Sequence, residues 1–195
     1  MEYERVVRKR RMVRNFQTEE IPDVILRQIM DLAQHYPSAG YSQGVAFVVI
    51  RDQDMKKKVV GEEENLPDGR PNYALRAPVM IVVCVSEAIY HRRYREPDKL
   101  LPDGKEIEWP TPYWFFDAGA ASLIILHSAV NFGYAAVFFG FPAEEIQPVK
   151  RALGIPEEFH PVGVVSIGKP APDVKSPSLK RGRRPYAEVV HFEHW

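Results

Sequence analysis

Apolar positions along the chain recur with two periods. Behind Pro22, the residues Ile25, Ile29 and Leu32, with Leu26, Met30 and Ala33, fall at spacings of three and four. That spacing predicts an amphipathic helix over 22–35, stopped by Pro37. Val45–Ile50, Val79–Val85, Tyr134–Phe139 and Val162–Ile167 are short apolar runs bounded by turn residues, the pattern of strands. The run VMIVVCV at 79–85 carries no polar position, which predicts a strand covered on both faces. Tyr186–Phe192 (YAEVVHF) reads as a last strand. Shorter helices are expected at 2–10, 54–60 and 143–153, the last interrupted by Pro148 and closed by Gly154-Ile155-Pro156.

One stretch has neither a polar face nor a strand period. Asp117 to Gly133 begins with an N-cap residue type, continues through small residues and the run Leu123–Leu126, and ends at a helix-closing glycine. Its lack of charge predicts a helix buried nearly all round, at about 16 residues too short to span a bilayer comfortably. The small residues of its N-terminal half, Ala118 to Ser122, allow close approach of another backbone and make the helix a candidate part of a subunit interface. Helices and strands alternate unevenly, so the expected class is α+β: a mixed central sheet flanked by helices. The whole of 1–195 is one domain, with 90–113 as a variable, Pro- and aromatic-rich loop and 169–195 as a C-terminal extension.

The chain of 195 residues is formally neutral, which removes bulk charge as an argument for nucleic acid or membrane partners. The charge is uneven, however. Residues 1–14 sum to +4, residues 169–184 sum to +5, and the rest is acidic. The single cysteine, Cys84, lies in an apolar run and is expected as a buried thiol. The start is charged, with no apolar leader pattern, so a cytoplasmic protein is expected.

Three groups of residues point to a ligand. Arg10, Arg11 and Arg14 near the start, and Arg181, Arg183 and Arg184 near the end, supply guanidinium forks that match phosphate oxygens in geometry and charge. Pro37-Ser38-Ala39-Gly40-Tyr41-Ser42-Gln43 joins a helix to a strand through small residues, letting backbone approach a flat ligand and offering polar groups to its edge. Phe139-Gly140 ends a strand where close backbone approach is possible. Against these stand several absences. The chain has no dinucleotide or Walker glycine motif, no nucleophile elbow and no zinc-type Cys/His spacing, so no metal is expected. Ligand-directed arginines without a nucleophile suggest chemistry supplied by a cofactor.

In order and spacing these marks resemble the FMN-dependent nitroreductase family. The matching segments are Arg10-Arg11-Met12-Val13-Arg14-Asn15-Phe16, Pro37 to Gln43, Asp117-Ala118-Gly119-Ala120-Ala121, Phe132-Gly133-Tyr134, Gly154-Ile155-Pro156 with Gly168-Lys169-Pro170, and Arg183-Arg184-Pro185-Tyr186. The resemblance implies an intertwined homodimer with FMN at the interface and NAD(P)H as electron donor. It implies that Arg10, Arg14, Arg181 and Arg183 hold the phosphate, with Arg11, Met12 and Arg184 nearby. Pro37, Ser38, Ala39, Gly40, Tyr41 and Gln43 would come from the partner to the flavin ring. Backbone at Phe139 and Gly140 would lie over the ring, and Tyr41, Trp109 and Tyr113 would shape the substrate pocket. No side chain is assigned a catalytic acid or base role, since the flavin mediates the chemistry.

The chain departs from the family pattern at Met12, where Ser is frequent, and at Tyr41, where Asn is common. The implied function is hydride transfer from NAD(P)H through flavin to a small organic acceptor, a nitroaromatic, a quinone or similar. The departure at Tyr41, with the unusual loop, leaves open a divergent member acting on flavin itself or on a halogenated or unsaturated ring; the arginines alone leave open a non-catalytic flavin or nucleotide binder. The expected partners are the small acceptor and a second copy of the chain, with neither nucleic acid nor membrane.

Overall fold

The computed structural model describes residues 1–195. Seven helices, α1 (Tyr3–Lys9), α2 (Asp23–Ala33), α3 (Gln53–Val60), α4 (Tyr73–Arg76), α5 (Glu87–Tyr94), α6 (Tyr113–Asn131) and α7 (Ile146–Leu153), surround four strands. The strands β1 (Val45–Ile50), β2 (Val79–Val85), β3 (Ala135–Phe139) and β4 (His160–Gly168) form one sheet in the order β1-β2-β4-β3. The class is α+β, as expected. All strand pairs are antiparallel, though. The parallel component of the expected mixed sheet is a single bridge, Met12 to Ala136, outside the four strands.

β2 is buried at every position, because both faces are covered. Val79, Ile81, Val83 and Val85 point into a core shared with Ile29 of α2 and Ile125 and Ala129 of α6. Met80, Val82 and Cys84 point the other way, against Val59 of α3 and Val149 of α7. This alternation is the strand period of two expressed between two helical layers. Burial pushes the Cys84 thiol up to about 12, in line with a structural, unreactive cysteine.

Several expectations are corrected. α6 runs over 19 residues and starts at Tyr113, so Asp117 is not its N-cap but lies inside it. By length and composition α6 could cross a membrane, yet here it packs across the sheet as a core helix. It is not buried all round. Phe116, Gly119 and Leu123 form an exposed stripe, whereas Ala118 and Ala121 are fully buried against their own chain. The first part of the expected 90–113 loop is helical, since α5 continues to Tyr94. The last expected strand is a 3-10 turn, Tyr186–Glu188, followed by exposed irregular chain. Backbone at residues 12–13 already occupies the outer edge of β3: the Val13 N–H donates to Ala136 O at 3.1 Å. Pro148 interrupts nothing, because α7 begins at Ile146 and the proline falls in its first turn, where no N–H partner is needed.

Candidate functional site

The arginine-rich segment is fixed by its apolar members. Val13 and Phe16 are buried with Ala77, Ala135 and Val137, which lays residues 12–16 along β3. The Phe138 N–H donates to Met12 Sδ at 3.5 Å, so the methionine side chain lies against the β3 backbone. Arg10 and Arg14 are half-buried and Arg11 is exposed. None of these three guanidinium groups has a carboxylate within ion-pair distance; Arg14 is held only by its backbone N–H, which donates to Asp173 Oδ2 at 2.8 Å. That bond, with Asn15 Nδ2 donating to Pro172 O at 2.7 Å, brings the start of the C-terminal extension to the arginine segment. Between them opens a cavity of about 350 Å³ lined by Arg14, Asp68, Arg70, Lys175 and Ser176. Arg70 is a cation that the sequence reading missed, and Asp68 holds it at 2.6 and 2.8 Å.

The remaining C-terminal arginines are not brought to this cavity within one chain. Arg181 and Arg183 are exposed, and Arg184 pairs with Glu188, its Nη2 donating to Glu188 O at 2.9 Å. Phe139 and Gly140 end β3, on the strand that carries the arginine segment. The Gly140 N–H donates to no group of the chain, and a Cβ there would meet open space. The backbone is therefore accessible to a flat ligand.

The ligand loop is built quite differently. Pro37–Gln43 contains a 3-10 turn, Ala39–Tyr41, with Gly40, Tyr41 and Gln43 all in the left-handed region at φ 59°, 57° and 54°. Two of these are not glycine, a conformation that persists only where neighbours enforce it. Here they do. Ser38 Oγ accepts from the Gln43 N–H at 2.8 Å, Ser42 Oγ donates to Ala39 O at 2.6 Å, and the Ala39 N–H donates to Asp117 Oδ2 at 3.0 Å. The same oxygen accepts from Tyr90 Oη at 2.7 Å. Burial, and then the Asp117 carboxyl, hold the Tyr90 phenol far above its ordinary range, so it stays a donor. The outcome is Tyr41 standing out from the surface, 74% exposed.

The expected pocket aromatics lie close to this loop. Trp109 packs edge-on against Tyr94 at 4.6 Å, and Tyr94 fills the space beside Gly40. Tyr113 lies 6.3 Å from Trp109 and is half exposed. Glu106 accepts from Trp109 Nε1 at 2.7 Å and from Arg95 Nε at 2.9 Å, and it bonds His91 Nδ1. Burial alone would raise its carboxyl, but these donors outweigh it and hold it below the usual carboxylate range.

The decisive geometry is topological. The ligand loop leads into β1, one edge of the sheet, while the arginine segment bridges to β3 and Gly140 follows it, at the other edge. Three strand spacings of about 4.8 Å separate those edges by roughly 14 Å. The unpaired arginines and the loop therefore lie along opposite edges of one chain's sheet. No group of His, Cys, Asp and Glu is arranged to hold a metal ion.

Fold and site together define an α+β protein with unpaired arginines along one edge of its sheet and a tightly bonded left-handed loop at the other. Residues 7–169 match the Nitroreductase family. A protein of Archaeoglobus fulgidus, named as an NADH dehydrogenase/NAD(P)H nitroreductase, is 32% identical over 98% of this chain and 97% of its own length. A protein of the same name from Methanothermobacter thermautotrophicus is 28% identical over 97% of this chain and 85% of its own. Among solved structures, an FMN-dependent nitroreductase from Clostridium difficile superposes with a TM-score of 0.69 at 18% identity, covering 97% of this chain and 98% of that one, a likeness of fold. The chain belongs to the nitroreductase family.

Proposed function

We propose that two copies of the chain assemble around FMN and form an NAD(P)H-dependent oxidoreductase for small planar acceptors. The observation that carries this reading is the separation of the two half-sites to opposite sheet edges. A second copy, contributing its own Pro37–Gln43 loop, supplies what the β3 edge lacks. The exposed stripe of Phe116, Gly119 and Leu123 on α6 offers an apolar face for that copy.

In this reading Arg10 and Arg14 hold the phosphate, joined by Arg181 and Arg183 when the C-terminal extension closes over the site. The accessible backbone at Phe139 and Gly140 supports the ring and presents the free Gly140 N–H to its polar edge. The partner's loop covers the ring and excludes water. FMN held by Arg10, Arg14 and the Phe139–Gly140 backbone would supply two-electron transfer chemistry between NAD(P)H and the acceptor. The chain contributes orientation and a fixed electrostatic setting, and no side chain is placed to act as acid or base.

Tyr41 and the Trp109–Tyr94 pair form an aromatic border to the loop, which favours aromatic acceptors such as nitroaromatics and quinones. The exposure of Tyr41, where the family commonly carries an amide, also supports a second reading: a preference for flavin or for halogenated and unsaturated rings. A cytosolic setting fits the one buried, unpaired thiol.

The test is an anaerobic titration of the purified protein. The expected result is a yellow protein with stoichiometric FMN, bleached by NAD(P)H and recoloured by a nitroaromatic or quinone. A colourless protein that takes up no FMN and oxidises no NAD(P)H would overturn the proposal. Turnover confined to halophenols or free flavin would favour the second reading.

A further inference from the structure

α6 is apolar along most of its length, yet Asp117 lies in it with 7% of its surface exposed. A buried carboxyl is costly unless its oxygens are bonded. Both of its hydrogen bonds come from outside α6: the Ala39 N–H at 3.0 Å and Tyr90 Oη at 2.7 Å. Tyr36 lies nearby and accepts from the Val45 N–H at 3.1 Å, at the point where the loop enters β1. The loop above this base is the one that holds two non-glycine residues in the left-handed region.

We infer that Asp117 is the positioning residue of the Pro37–Gln43 loop: through Ala39 and Tyr90 it fixes the left-handed turn that presents Tyr41 to the ligand of the second copy. The inference rests on the proposed composite site for its functional half, and on the geometry of the single chain for its structural half. Asp117 touches no ligand in this account. It acts by taking the Ala39 N–H at the first residue of the turn, which leaves Gly40 and Tyr41 no freedom to relax toward ordinary backbone. The bond partner of Tyr90 is the same Oδ2, so Tyr90 locks the carboxyl orientation from α5.

The experiment uses the full chain. Asp117→Leu keeps the branched side-chain shape but removes both acceptor oxygens, and Tyr90→Phe removes the hydroxyl that bonds Asp117 and Ser38. Amide hydrogen exchange of the flavin-free protein is followed across residues 38–43, with α6 and β2 as internal references. In Asp117→Leu, exchange at Ala39, Tyr41 and Gln43 is expected to rise about tenfold or more while α6 and β2 stay protected. Tyr90→Phe is expected to give a smaller rise at the same amides. With FMN added, Asp117→Leu is expected to release flavin about tenfold faster and to change its visible circular dichroism.

Unchanged exchange at 38–43 in Asp117→Leu would overturn the inference. So would a rise spread equally over α6 and β2, which would make Asp117 a plain core residue. If Asp117→Leu unfolds, Asp117→Ala decides by the same exchange pattern. If the wild-type protein binds no FMN, the proposed function fails, while the exchange result still judges the role of Asp117.

Discussion

Arg93 Nε donates to the carbonyl of Gly40 at 3.0 Å, tying α5 to the turn of the ligand loop. The other guanidinium nitrogens are gripped by Asp98 at 2.7 Å on both sides and by Glu96 at 3.0 Å. Asp98 belongs to the irregular segment that follows α5, so this one side chain links that segment to the residues expected at the flavin. Gly40 is required here for two separate reasons: its φ is positive, and a Cβ would fall 2.5 Å from a ring carbon of Tyr94.

Replacing Arg93 with Met should therefore loosen two things together. Limited chymotrypsin digestion should cut within residues 95–112 several-fold faster, and FMN retention should fall in the same variant. Faster digestion with unaltered FMN retention would separate the segment from the site.

A second consequence concerns packing where β3 meets β4. A Cβ on Gly163 would lie 2.6 Å from Phe138 Cζ and 2.7 Å from the carbonyl oxygen of Phe139. The ring could shift, but the strand backbone cannot. Gly163→Ala should cost about 1–3 kcal/mol by overpacking. The check is the denaturant midpoint, with an unchanged slope.

Lys56 gives a pH dependence of known sign. It is fully buried, with Nζ donating to Ala77 O at 2.6 Å. Burial lowers its pKa to about 8, partly offset by Asp52. The unfolded chain therefore binds more protons than the folded chain between about pH 8 and 10.5. The penalty of burying the charge is fully present below pH 8 and fades as the pH rises through that window. The change is worth at most about 3 kcal/mol. Lys56→Met should abolish this rise, which urea melts of the two proteins at pH 7.5 and pH 9.5 would compare. An equal rise in both proteins would assign it to other groups.

Much of this fold is legible in the sequence because local period and packing agree. The three- and four-residue spacing from Ile25 to Ala33 yields α2, and the unbroken run at 79–85 yields a strand between two helical layers. Errors arise where a local signal meets a tertiary competitor. Asp117 has the composition of a cap, but the preceding Tyr-Trp-Phe-Phe run is itself helical, since burying Trp114 in the core favours continuing the helix. The 186–192 run alternates like a strand, but the outer edge of β3 is already taken by residues 12–13. For the candidate site, residue type singles out the arginines and the small-residue loop as candidates only. Their placement on opposite sheet edges follows from the strand order, which no local pattern encodes. Arg70, Arg93 and the loop-holding role of Asp117 are equally invisible, because each depends on a partner distant in sequence or on the conformation of a loop.

The composite site is tested most directly by mixed dimers. One chain would carry Arg10→Ala and Arg14→Ala, which damage the β3 half-site; the other would carry Gly40→Val, which damages the loop half-site. Each variant alone should lose FMN. When the two are co-expressed with different affinity tags and the mixed dimer is isolated, one interface site collects both defects and the other is intact. The account predicts one FMN per mixed dimer by visible absorption. A mixed dimer with no flavin would mean that each site lies within a single chain, and would contradict it.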